Sequence, residues 1–191
     1  MLGACARLGL DTTEILRYAG LTSATFEDPD SRIPLDQMAR LWARAYELSG
    51  DPHLALHAVE VLPFGAYRVI DFLAGNAPTN GEALAKVCDY FPLINDVVRV
   101  VYGVGQDEVV LSLEAPTQPA VITRPYAEYT LAAIFVRTQR AVGQDFPLRR
   151  VDFSHARPAD IREHERLFGC PVRFDRPAMP SSKADRGNER D

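Results

Sequence analysis

The chain has 191 residues, of which 47% are hydrophobic and 25% are charged, a balance that is ordinary for one globular domain. Its formal net charge of -5 argues against a surface that neutralises nucleic-acid phosphates, so we expect no direct contact with DNA. No apolar run approaches the roughly 18 residues of a membrane span, and no apolar leader precedes Asp11, so we expect a cytoplasmic protein without a membrane partner.

Helix signals fill the first half of the chain. Asp11 and Thr79 each precede a glutamate by three residues, as in a capping box, and Asp51-Pro52 combines a cap with a first-turn proline. Together with the helical spacing of the apolar residues, these signals predict helices over 11–20, 35–50, 51–61, 67–75 and 79–91.

From residue 97 the apolar residues alternate instead. The pattern predicts a hairpin over 97–113, a long helix over 124–143, a strand over 148–154, a helix over 158–167 and a last strand over 172–174. The predicted class is α+β, with N-terminal helices followed by a small antiparallel or mixed sheet and a long packing helix. We expect one domain over 1–177 and a disordered polar tail over 178–191.

No sequence pattern identifies a catalytic residue, a metal site or a cofactor. His53 and His57 have the i, i+4 spacing of two metal ligands, but a solvated helix face explains them better. Ser154 and His155 are adjacent on a predicted strand, so their side chains point to opposite faces and cannot form a dyad. We expect His164 to be exposed on its helix.

Three cysteines, Cys5, Cys88 and Cys170, are widely spaced and odd in number, which excludes a disulfide scaffold and fits a reducing compartment.

The candidates for ligand binding are aromatic and cationic residues near breaks in the periodicity. They are Phe64, Tyr67, Arg68, Tyr102, Tyr126, Tyr129 and Arg137. Small-ligand pockets are mostly apolar with a few placed polar groups, and tyrosine and arginine supply such groups. The alternative is that each tyrosine is an ordinary residue at the edge of the core, with its hydroxyl at the surface.

Six separated segments resemble the amino-terminal effector domain of AraC-type bacterial transcription regulators, in the order found in that family. They are 11–21 (DTTEILRYAGL), 28–42 (DPDSRIPLDQMARLW), 50–52 (GDP), 77–84 (APTNGEAL), 151–155 (VDFSH) and 168–174 (FGCPVRF). The resemblance implies an arabinose-binding-like domain that binds a small effector and forms homodimers or heterodimers with related regulators. It implies sensing and not catalysis.

In that family a DNA-binding region of two helix-turn-helix units follows such a domain. Here a polar stretch follows Phe174, so the resemblance implies a regulator truncated before its DNA-binding region. Two other functions stay open. One is a protein-interaction module with a vestigial pocket that modulates intact regulators, and the other is a small-metabolite enzyme using His155, Cys170 or Glu128.

Overall fold

A computed structural model describes residues 1–26, 31–67, 69–95, 97–104, 109–115, 122–142 and 148–176. These ranges contain eight α-helices and four strands, which confirms the predicted α+β class. The helices are α1 (Leu2–Arg7), α2 (Thr12–Tyr18), α3 (Leu35–Ser49), α4 (Leu54–Glu60), α5 (Val69–Gly75), α6 (Asn80–Tyr90), α7 (Arg124–Val142) and α8 (Arg162–Phe168). The strands are β1 (Arg99–Val104), β2 (Val109–Glu114), β3 (Leu148–Asp152) and β4 (Val172–Arg173). The predicted tail, 178–191, lies outside the described residues.

The four strands form one mixed sheet in the order β1-β2-β3-β4. β1 and β2 are antiparallel, with Arg99 opposite Glu114, as the hairpin pattern predicts. Val151 of β3 pairs in parallel with Leu111 of β2 on one side and with Val172 of β4 on the other. Parallel neighbours need a crossover connection, and α7 and α8 lie in these two connections. Both helices contact a strand of the sheet.

Helix α7 is the centre of the fold. Its 19 residues span about 28 Å, and it contacts α4, α5, α6, α8 and β2. Residues 130–138 are all buried, so every side of this part of the helix faces protein rather than water. The main hydrophobic core surrounds α7, and a smaller apolar cluster joins α1, α2 and α3. Among the helices of the described residues, none is long and apolar enough to cross a membrane.

Caps place several helix ends where the sequence predicts them. The Asp11 carboxylate accepts two backbone N–H groups of the first turn of α2, and the Thr79 hydroxyl accepts one at the start of α6. Gly50 ends α3 with a φ of 62°, in the left-handed conformation that favours glycine. Two helices begin later than predicted. Helix α4 begins at Leu54 rather than at residue 51, and α8 begins at Arg162 rather than at residue 158. Helix α1 was not predicted from the sequence.

A buried carboxylate, Glu128, joins α7 to the end of the domain. Its Oε1 lies 2.7 Å from His164 Nε2, and both side chains are fully buried. Arg124 Nε donates to the same oxygen at 2.8 Å, and Arg124 Nη2 donates to the Pro52 carbonyl at 3.0 Å. Burial alone raises the pKa of Glu128, but the hydrogen bonds from His164 and Arg124 outweigh it, so the pKa lies below its ordinary value of 4.5.

Two expectations about histidines are wrong. His164, expected to be exposed, is fully buried, and its ring packs edge-on against that of His53 at 5.6 Å between centroids. His53 is itself buried rather than part of a solvated face, whereas His57 is partly exposed and pairs with Asp51 at 2.6 Å. Helical spacing shows which residues share a face but not which face is covered. Here the cover includes Glu128, which is far away in the sequence.

Replacing Glu128 with glutamine is expected to lower the free energy of unfolding by about 3 kcal/mol at neutral pH, because it removes the buried carboxylate that His164 and the partly exposed Arg124 contact. The lowered pKa of Glu128 stabilises the folded state above pH 4.5, and this contribution is lost as the pH falls through the folded-state value. The difference in the free energy of unfolding between wild type and variant should therefore become smaller at acidic pH. Urea unfolding as a function of pH measures it.

The control is Glu165→Gln, because Glu165 is an exposed carboxylate on α8. It should change stability by no more than about 0.5 kcal/mol. An effect of E128Q that is the same at pH 7 and well below pH 4.5 would contradict the ionic role of Glu128.

Candidate ligand-binding cavity

A cavity of about 210 Å³ lies between α7 and the helices packed around it. On α7, Tyr126, Tyr129, Thr130, Ala133, Ile134 and Arg137 line it. Their i, i+3, i+4 spacing puts them on one stripe of the helix. The other lining residues are Met1, Met38, Trp42, Tyr67, Ile70, Asp71, Ala74, Val87, Phe91, Ile94 and Asn95. The wall is mostly apolar and rich in aromatic rings, which is typical of small-molecule sites.

Asp71 and Arg137 form a charged pair at one end of the cavity. Arg137 Nη1 lies 3.6 Å from Asp71 Oδ2, and both side chains are buried. The same oxygen of Asp71 accepts the Gly65 N–H at 2.7 Å and the Tyr67 N–H at 3.1 Å. Gly65 has a φ of 89°, a conformation that other residues rarely adopt. Asp71 thus holds the turn that brings Tyr67 to the cavity.

Arg137 also holds α7 against the end of α4. Its Nη1 donates to the Pro63 carbonyl at 2.6 Å and its Nη2 to the Leu62 carbonyl at 3.4 Å. One turn later, Arg140 donates to the Leu62 and Glu60 carbonyls at 3.1 Å and 3.2 Å. Carbonyls at the end of a helix lack partners within that helix and carry partial negative charge. The two arginines therefore hold α7, which lines the cavity, against the end of α4 and the residues that follow it.

The tyrosine hydroxyls at the cavity are protonated at neutral pH. Burial raises the pKa of Tyr126 to about 12. Burial also raises the pKa of Tyr67 well above 10, with a further rise from the neighbouring Tyr129, and raises the pKa of Tyr129 itself. The Arg137 guanidinium lies 5.2 Å from the centre of the Tyr67 ring, a cation–π contact. These phenols can therefore donate or accept hydrogen bonds but carry no charge.

Asn95 and Tyr126 are joined by a hydrogen bond, and both line an outer groove as well as this cavity. Asn95 Nδ2 donates to the Tyr126 hydroxyl at 2.9 Å, and Asn95 Oδ1 accepts the N–H groups of Val97 and Val98, each at 2.9 Å. The groove measures about 440 Å³ and is lined by 31–35, Met38, Ile94, Asn95, Val97 and Tyr126. Four of these residues also line the inner cavity, so the two spaces are contiguous.

The structure brings four of the seven sequence candidates to the cavity. These are Tyr67, Tyr126, Tyr129 and Arg137. Phe64 does not line it, because its ring is about half exposed and packs edge-on against Phe72 at 5.6 Å between centroids. Arg68 and the side chain of Tyr102 lie outside the described residues. A role in ligand binding stays a prediction for all seven.

Sequence reasoning missed Trp42, Asp71 and Asn95. Trp42 belongs to the apolar stripe of α3, and a stripe of this kind does not distinguish a cavity wall from a filled core. Asp71 gave a usable signal, since it is a single carboxylate in the otherwise apolar segment VIDFLAG. Across the described ranges, no group of three or more His, Cys, Asp or Glu side chains is arranged to hold a metal ion.

A mostly apolar cavity beside the central helix of an α+β fold is the architecture of a small-molecule-binding domain. The family model for the N-terminal arabinose-binding domain of AraC transcription regulators matches residues 9–179. The chain therefore belongs to this family, as the six segments indicated, and it is a ligand-sensing regulatory domain from a family that is not one of enzymes. A search of curated proteins found no match.

Replacing Asp71 with asparagine should lower the free energy of unfolding by about 3 kcal/mol, because the buried Arg137 loses its counter-charge. Urea unfolding measures the change, with Asp89→Asn on the exposed side of α6 as a matched control that should stay within about 0.5 kcal/mol. In a double-mutant cycle with Arg137→Met, the two losses should be strongly non-additive. Additive losses would mean that the two side chains do not interact.

Proposed function

We propose that this domain binds a small-molecule effector in the cavity beside α7. Binding of the effector would then alter the interaction of this domain with a partner chain in transcription regulation. The observation that carries the proposal is the cavity itself. It is lined by aromatic and aliphatic side chains and has one buried charged pair at its end. A concave, mostly apolar space of this size with a few polar groups is the usual form of a small-molecule site. The location included in the proposal is the cytoplasm, where bacterial regulators act on DNA.

The proposed partner is a second copy of this domain or a related regulator. Helix α5 turns Ile70, Asp71 and Ala74 toward the cavity, while Val69 and Phe72 on its other face are 50% and 57% exposed. Exposed apolar patches often mark protein interfaces. A helix that contacts ligand on one face and a partner on the other couples the two equilibria, and such coupling is reciprocal. DNA reading is then the task of residues or chains outside this acidic domain.

The alternative, an interaction module with a vestigial pocket, shares the exposed α5 face but needs no ligand. One result distinguishes effector sensing from an interaction module. Only the sensing function requires that a small molecule binds in the cavity and alters the association of the domain with its partner.

Trp42 offers a direct test of the cavity, because it is the single tryptophan of the chain, is almost fully buried and lines the space. Titration with toluene should change its fluorescence in wild type. Ala133→Phe, which fills the cavity from α7, should abolish the change. Ala43→Phe on the exposed side of α3 is the matched control and should respond like wild type. An equal response in A133F would exclude the cavity as the binding site.

Dimerisation has its own test by size-exclusion chromatography with light scattering. We expect wild type to elute as a dimer and Phe72→Lys to shift it to the monomer, because a charge on the proposed interface must be desolvated. Leu93→Lys places the same charge on another exposed apolar residue and should remain dimeric. A wild-type monomer at every concentration would overturn the dimer proposal.

A further inference from the structure

The size and walls of the inner cavity favour a small aromatic group as the part of the ligand that enters it. A cavity of about 150 Å³ holds benzene, so the space of about 210 Å³ admits a single ring with a short substituent. Five aromatic side chains line it: Trp42, Tyr67, Phe91, Tyr126 and Tyr129. Aromatic rings pair favourably with one another in offset or edge-on arrangements. The walls therefore favour an aromatic ring over an aliphatic chain of the same volume.

Most polar atoms at the cavity are already bonded to protein. The Asn95 side chain uses its oxygen for two backbone N–H groups and its nitrogen for Tyr126. Both terminal nitrogens of Arg137 donate to carbonyls. A sugar would bury several hydroxyls against a mostly apolar wall with too few partners, and each unpaired buried hydroxyl is unfavourable. The arabinose in the family name therefore does not suit this chain.

Three buried polar atoms of cavity-lining residues have no hydrogen-bond partner among the described residues. They are Asp71 Oδ1, an acceptor, Arg137 Nε, a donor, and the Tyr67 hydroxyl, which can do either. Asp71 and Arg137 lie together at the end of the cavity. Buried polar groups are normally paired, so an unpaired acceptor beside an unpaired donor is the feature that a ligand would complete. A hydroxyl or a primary amide can donate to the first and accept from the second.

The charges of Asp71 and Arg137 disfavour an ionic head group between them, and the Met1 amine, which also lines the cavity, donates to the Tyr129 hydroxyl at 3.0 Å. Asp71 and Arg137 neutralise each other at 3.6 Å. A carboxylate on the ligand would lie against the Asp71 carboxylate, and an ammonium would lie against the guanidinium of Arg137. Burying an additional charge without a counter-charge is unfavourable in either case.

We infer that the effector is an uncharged aromatic compound of about one ring that carries a hydroxyl or primary amide, with this group bound between Asp71 and Arg137. The inference rests on the proposed sensing function of the same cavity. It makes neutral aromatic alcohols and amides the ligand class, in preference to sugars and aromatic acids.

A matched series of probes tests the head group on the wild-type chain. The probes are 2-phenylethanol, phenylacetamide, phenylacetate, 2-phenylethylamine, ethylbenzene and L-arabinose, titrated by Trp42 fluorescence and by calorimetry. We expect 2-phenylethanol or phenylacetamide to bind about tenfold more tightly than ethylbenzene, the difference of one well-placed hydrogen bond. Tighter binding of phenylacetate, 2-phenylethylamine or L-arabinose would overturn the inference, and so would equal binding of ethylbenzene.

Variants separate this inference from the proposed function. Asp71→Asn should reduce the preference for 2-phenylethanol over ethylbenzene, a ratio within one variant that does not depend on its overall stability. Thr138→Val is the control, because Thr138 is buried on α7 and does not line the cavity, so it should keep the ratio. An unchanged ratio in D71N overturns the placement of the head group. Should D71N not fold, Arg137→Lys, which keeps the charge and lacks Nε, gives the same comparison.

The Ala133→Phe variant distinguishes a failure of the proposed sensing function from a failure of the inferred ligand class. If L-arabinose or phenylacetate binds best and A133F abolishes that binding, the sensing cavity stands and the ligand class is wrong. If A133F binds every probe as wild type does, the cavity is not the site and both proposals fail. Circular dichroism confirms that A133F is folded before the titrations.

Discussion

The buried contact of Glu128 with Arg124 and His164 is the constraint on which the rest of the structure depends. An unpaired buried carboxylate is costly, and Arg124 moves with Glu128 because both are on α7. Rotation or sliding of α7 would therefore separate Glu128 from His164 and Arg124 from the Pro52 carbonyl. This contact lies near the start of the helix, and Arg137 and Arg140 fix its other half to the carbonyls that follow α4. Polar contacts thus set the position of α7, and the apolar core packs around a helix that is already placed.

The cavity follows from this arrangement. Its lining residues on α7 form one stripe, and Glu128 lies outside that stripe. Apolar side chains alone would let neighbouring helices close in and fill the space. Here the ionic and carbonyl contacts hold α7 against α8, the end of α4 and Asp71 of α5, and an open space persists beside a well-packed core. The same helix therefore supplies polar contacts that stabilise the domain and one wall of the cavity.

The sequence predicts those parts of the fold that depend on neighbouring residues. Asp11 and Thr79 cap their helices and Gly50 ends one, because capping needs only a few adjacent groups. Burial of His164 was not predictable, since its partner Glu128 is 36 residues away. Asp71 was missed for the same reason. Its partner lies on another helix, and the order of residues along the chain does not reveal which helices meet.

Asn95 links the wall of the cavity to the edge of the sheet. Its amide bonds to Tyr126, which lines both the inner cavity and the outer groove, and also holds the N–H groups of Val97 and Val98, just before β1. A molecule that displaced this amide from Tyr126 and turned it would also release the two N–H groups. Occupancy of the space beside Tyr126 and fraying of the first strand would then be coupled.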